Sequence, residues 1–107
     1  MVYTVDELKQ IVAPIAEKYQ LPAVYLFGSY ARGDATSESD VDVLFNGQGS
    51  KIRGFLLGAL YDDLQTSLGK QLDLVDEAAL KQPEVKAETP WFLDNIFRER
   101  VQIYGNS

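Results

Sequence analysis

GSYARGDATSESDVDVLF, residues 28 to 45, holds two phosphate-handling devices within one short reach of chain. The run before it, Ala23 to Phe27, reads as a strand, so Gly28-Ser29 falls at a strand-to-helix turn where bare backbone N–H groups can face an anion. A triphosphate is the natural guest. Asp40-Val41-Asp42-Val43-Leu44-Phe45 then alternates, and the two-residue period of a strand puts both carboxylates on one face, roughly 7 Å apart at the backbone. That spacing suits one or two magnesium ions held by oxygen ligands.

Each piece alone has a plainer reading: Gly-Ser after a strand is ordinarily just a turn, and Asp-Val-Asp can be a solvated strand edge. Together they conflict, because residues 34 to 42 carry four acids and no basic residue beside a turn that wants an anion. A bound cation resolves the conflict. A site for a metal-bound nucleotide is therefore favoured over an acidic loop without function.

Composition narrows the chemistry further. A chain of 107 residues is read as a single domain, 1-107, large enough for a modest core and without room for a separate substrate-binding domain. Its net charge of -6 and lack of a basic stripe make it a poor candidate for gripping nucleic acid through phosphates. Cysteine and histidine are both absent, which rules out disulfides, zinc sites built on thiolates or imidazoles, and histidine-dependent triads. Any general base must be a carboxylate, a lysine or a tyrosine. With no apolar run near the roughly 20 residues of a membrane span and no signal-peptide layout, no membrane association is expected and the cytoplasm is the default.

The rest of the chain supplies the scaffold. Thr4-Val5-Asp6-Glu7 has the form of a capping box, and Leu8, Ile11, Val12, Ile15 and Tyr19 follow at helical spacing, predicting a helix from about residue 4 to 19 with a kink or break near Val12 caused by Pro14. A short helix from Ser29 to about Arg32 ends at Gly33, and a second strand covers about Val41 to Phe45. Asn46 to Lys51 looks glycine-rich but matches neither a Walker loop nor a dinucleotide fingerprint, since Gly54 comes too late. Ile52, Phe55, Leu56, Ala59, Leu60, Leu64 and Leu68 predict a long helix from Lys51 to Leu68, with Ser50 as N-cap and Gly69 as its stop. Gly54 and Gly58 inside it cost about 1 kcal/mol each relative to alanine, which suggests close packing against the sheet.

Gln71 to Val75 reads as a third strand with Asp73 facing opposite to Leu72 and Leu74, while Asp76 opens the next turn. Ala78 to Lys81 suggests a helical turn limited by Pro83. Thr89-Pro90 then starts a last helix that carries Trp91, Phe92, Asn95, Ile96, Arg100, Val101 and Tyr104 and is closed by Gly105. This aromatic-rich helix suits either a partner or its own sheet, and packing on the sheet is the expectation. Tyr30 is expected to pack rather than react. Arg32 either binds nucleotide phosphates or holds the loop by pairing with Asp34 or Glu38.

Gly28-Ser29-Tyr30-Ala31-Arg32-Gly33, followed after five residues by Ser39-Asp40-Val41-Asp42, resembles the nucleotidyltransferase signature of the DNA polymerase beta superfamily, and in particular that of the minimal nucleotidyltransferases. The order of elements agrees over nearly the whole chain. The resemblance implies an α+β fold, a small mixed β-sheet with helices packed mainly on one face and the acidic site on the other. It implies transfer of AMP from ATP to a hydroxyl, with Mg2+ held by Asp40, Asp42 and Asp73. Asp73 matches the third carboxylate and would also act as general base, and Gly28, Ser29 and Arg32 would hold the nucleotide. Short chains of this family commonly act as antitoxins that adenylylate a tyrosine of a HEPN-domain toxin, which makes such a toxin the implied partner and leaves homodimer and hetero-oligomer both open. Two other readings compete: a non-catalytic nucleotide-binding antitoxin that works by docking, and an enzyme modifying small hydroxyl compounds such as aminoglycosides.

Overall fold

The computed structural model describes residues 2–47, 52, 54–80 and 90–105. The first helix, α1 (Val5–Lys18), opens with the expected capping box: the Thr4 hydroxyl accepts from the Glu7 N–H at 3.1 Å and the Glu7 carboxylate accepts from the Thr4 N–H at 2.9 Å. The helix runs unbroken through Pro14, so the predicted break does not occur. Leu8, Val12 and Ala16, one helical turn apart, are buried and carry α1 through the missing hydrogen bond. Its end is a Schellman motif, with the Leu21 N–H bonded to the Ala16 carbonyl and the Gln20 N–H to that of Glu17. Gln20 accordingly adopts φ of 57°.

Strand β1 (Ala23–Phe27) leads into the short helix α2 (Gly28–Arg32), closed by Gly33 in the left-handed region, and β2 (Val41–Asn46) follows. Helix α3 (Phe55–Leu68) and strand β3 (Leu72–Asp76) come next, then the helical turn α4 (Glu77–Leu80), helix α5 (Pro90–Glu99) and strand β4 (Val101–Gly105). The four strands lie in the order β3-β2-β1-β4, with β1 antiparallel to both its neighbours and β2 parallel to β3. The sheet is mixed, as expected, because α3 bridges β2 and β3 as the crossover that a parallel pair requires.

Strand alternation divides the side chains cleanly. Val24, Leu26, Val41, Val43, Phe45, Leu72 and Ile103 face α1 and α3, where Leu60, Leu64 and Leu68 complete the main core. Tyr30 packs there too. A tie of Lys18 and Tyr19 to Asp63, at 2.9 and 2.6 Å, joins α1 to α3 at the surface. On the other face Ile96 of α5 covers Leu44, flanked by Tyr25, Phe27 and Val75.

Several expectations need correction. The last helix stops at Glu99, and Val101 and Tyr104, expected on it, belong to β4, which pairs with β1. Val-Gln-Ile-Tyr is β-branched and aromatic at a strand's period, and its pairing with β1 overrides the helical spacing. Helix α3 begins at Phe55, with Gly54 before it at φ of 53° instead of inside it. Nothing stands within 4 Å of a Cβ built at Gly58, so close packing does not account for that glycine. Phe55, expected in the core stripe, is 89% exposed. The caps expected at Ser50 and Thr89, the start at Lys51, the end of the turn at Lys81 and the limit at Pro83 lie outside the described residues.

Candidate active site

Asp42 and Asp73 are register partners on the parallel strands β2 and β3, which puts their side chains on the same face of the sheet. Next along that row comes Phe27, the β1 partner of Asp42. Asp73 is exposed and Asp42 half-buried. Burial above all, then the close approach of the Asp73 carboxyl and the charges of Asp73 and Asp40, push the Asp42 carboxyl up to about 6, against a smaller downward pull from Arg32. Two acids meeting this closely are a like-charge pair that a cation would relieve.

Gly28 explains how the turn after β1 meets this pair. It sits at φ of +70°, and a Cβ built there would lie 2.1 Å from Asp42 Oδ2. The carboxylate therefore fills the space that a side chain would take, and no residue but glycine fits. At the same turn α2 starts with no side-chain cap, leaving its first N–H groups to other acceptors.

Asp40 is brought near by an ordered loop. The Thr36 N–H donates to Ser39 Oγ at 2.8 Å, and the Ser39 N–H returns to the Thr36 carbonyl at 3.0 Å. Lys70 Nζ donates to the Ser37 carbonyl at 2.9 Å, and the Val41 N–H bonds to the Gln71 carbonyl at 2.9 Å, tying the loop to the start of β3. Asp40 itself precedes β2 and reaches Asp42 through its charge.

A cavity of about 420 Å³ opens over the pair, lined by Phe27, Gly28, Arg32, Asp42, Asp73, Asn95, Ile96 and Glu99. Five of these had been singled out in the sequence as site or strand residues. Asn95, Ile96 and Glu99 had not been assigned to the site, although Asn95 and Glu99 stand four apart on α5 and so share one face. Which face of the sheet α5 would cover was not legible. Ser29 and Asp40 are not among the lining residues. Arg32 pairs with Asp34 at 3.3 Å, one of the two partners expected, and with Glu99 at 3.6 Å, a partner nothing in the sequence pointed to.

Among the described residues no three acidic side chains stand together as a closed metal cluster. The oxygen-only pair Asp42 and Asp73 still fits magnesium, which is usually held by one or two carboxylates with phosphate oxygens and waters completing its shell. No helix among these residues is long and apolar enough to cross a membrane.

Comparison with known proteins agrees with this geometry. Residues 8–104 match the family model described as a nucleotidyltransferase domain. A Methanocaldococcus jannaschii protein carrying the provisional name protein adenylyltransferase is 33% identical over 88 residues, spanning 78% of this chain and 88% of the relative. The protein adenylyltransferase MntA of Thermococcus cleftensis is 32% identical over 83 residues, 73% of this chain and 82% of the relative. Among solved structures, one provisionally described as a minimal nucleotidyltransferase superposes with a TM-score of 0.63 at 27% identity, covering 92% of this chain and 95% of that one. A toxin–antitoxin complex crystallised with AMP-PNP contains a chain of the same fold, with a TM-score of 0.68 at 20% identity over 92% of this chain and 74% of that one. With its signature turn against a paired carboxylate and its family model matched almost end to end, the chain belongs to the nucleotidyltransferase domain family.

Proposed function

We propose that this chain is a single-domain protein adenylyltransferase that moves AMP from ATP, with magnesium, onto a tyrosine hydroxyl of a partner HEPN-domain toxin, and so acts as its antitoxin. The observation that carries the reading is the in-register meeting of Asp42 and Asp73 against Gly28. Support for the acceptor comes from the relatives named as protein adenylyltransferases. A structure of a tri-AMPylated Shewanella oneidensis HEPN toxin with its MNT antitoxin, similar in fold to this chain with a TM-score of 0.60, points the same way.

In this reading the Gly28 and Ser29 backbone N–H groups and the Arg32 guanidinium hold the phosphates, and Asp42 and Asp73 hold magnesium, with Asp40 contributing charge or a further oxygen. When bound, the metal stabilises charge on the attacking and leaving oxygens of an in-line displacement. The acceptor oxygen bonds to the α-phosphorus as the bond from that phosphorus to the bridging oxygen breaks, and pyrophosphate leaves. Asp73, exposed at the sheet edge, takes the hydroxyl proton. Positioning is thus the main work of the protein.

With α-labelled ATP and magnesium, label should pass to a co-purified toxin partner, and Asp42→Asn should abolish transfer while leaving the circular dichroism spectrum unchanged. Undiminished transfer by that variant would refute the assigned chemistry. Full neutralisation of the partner by a transfer-dead variant would favour inhibition by docking, and label passing only to a small hydroxyl compound would remove the toxin from the scheme.

A further inference from the structure

Two acids hold the Arg32 guanidinium, and they are not equivalent. Asp34 lies two residues along the same chain, so its contact with Nε moves with α2. Glu99 belongs to α5, and its Oε2 meets the Nη1 side at 3.6 Å. Arg32 and Glu99 both line the cavity that holds Asp42 and Asp73, and both side chains are about half exposed. A guanidinium fork receives carboxylate and phosphate oxygens in the same way, so the two acceptors compete for one edge.

We propose that Glu99 is the resident occupant of the cavity-facing edge of Arg32, a stand-in for a phosphate oxygen that the incoming nucleotide displaces, and that it thereby sets how tightly the site takes ATP. This rests on the reading of the cavity as a nucleotide site. Nucleotide binding has to break the pair between α2 and α5, and its loss opposes binding by the few-fold factor that an exposed ion pair is worth. Asp34 stays in contact throughout and keeps the side chain oriented. Glu99 is a positioning residue rather than a catalytic one, since it touches Arg32 and not the reacting atoms.

Calorimetric titration of the purified chain with ATP and magnesium tests this. Glu99→Gln should lower the Kd by about two- to fivefold, and steady-state assays should show the gain in KM for ATP with no rise in kcat. In an Arg32→Ala background the same substitution should give less than half of that gain. Glu99→Asp, which keeps the charge but shortens the reach, should also tighten binding. If Glu99→Gln weakens binding or leaves it unchanged, or if its gain is equally large without Arg32, the inference is overturned. An unchanged Kd for Glu99→Asp would assign the effect to net charge and overturn it as well. Failure of the unsubstituted protein to bind ATP would instead remove the nucleotide-site reading itself, which separates the two claims. Merely structural damage would loosen nucleotide binding and lower the melting temperature, the opposite of the expected tightening.

Discussion

On the face that meets α1 and α3, the strands present Val24, Leu26, Val41, Val43, Phe45 and Leu72, each at most 2% exposed. On the opposite face the same strands present two rows of different character. Tyr25, Leu44 and Val75 make an apolar row under Ile96, and beside it Phe27, Asp42 and Asp73 make a row that ends in paired acids. The first face is free of charge and densely packed, whereas the second brings like charges together at the cavity. One lesson is that the two tasks are separated by strand alternation: burial on one side stabilises a sheet whose other side can carry an unfavourable pair.

The contrast can be broken first from the packed side. Phe45→Ala should cost about 3–5 kcal/mol in urea unfolding, as a large side chain lost from a core that cannot collapse around the gap. A smaller effect on stability, with a far larger one on transfer, is expected of Gly28→Ala. It should lower stability by about 2 kcal/mol, because its Cβ meets Asp42 and its φ is positive, and reduce label transfer by about 100-fold through displacement of that carboxylate.

Acidity sharpens the comparison. Since the Asp42 carboxyl is raised from 3.8 to about 6 in the folded protein, the folded state binds more protons than the unfolded state between these values. The stabilisation is therefore full below about pH 4 and is lost as pH rises to about 6. Allowing for solvent screening of a half-exposed group, the loss is about 1 kcal/mol. Melting curves across that range in metal-free buffer, compared with Asp42→Asn, should show the slope only in the parent protein. Smallest of all, Asp73→Asn should change stability by less than about 0.5 kcal/mol, towards greater stability, because it removes a like charge at an exposed edge. A loss of more than 1 kcal/mol by chemical denaturation would show that the pair supports the fold rather than straining it.

Much of this was legible from local chemistry. The capping box at Thr4, the glycine stops at Gly33 and Gly69, the strand ending in Phe27 and the opposed facing of Asp73 all follow from side-chain period and turn geometry, which the sequence carries directly. What escaped depends on distant partners. Val101 to Gly105 becomes a strand because β1 offers it an open edge, and Arg32 meets Glu99 only because α5 crosses the acidic face. Phe55 shows the reverse case, an apolar residue at the right spacing that the helix leaves in water. Periodicity states which side chains share a face of an element, but not what that face meets.

The parallel pairing of β2 with β3 has a bearing on synthesis. Asp42 and Asp73 are separated by the whole of α3, so neither hairpin closure nor any local collapse can unite them. A chain emerging from the ribosome therefore has no assembled centre until residues through Asp76 are free to join the sheet.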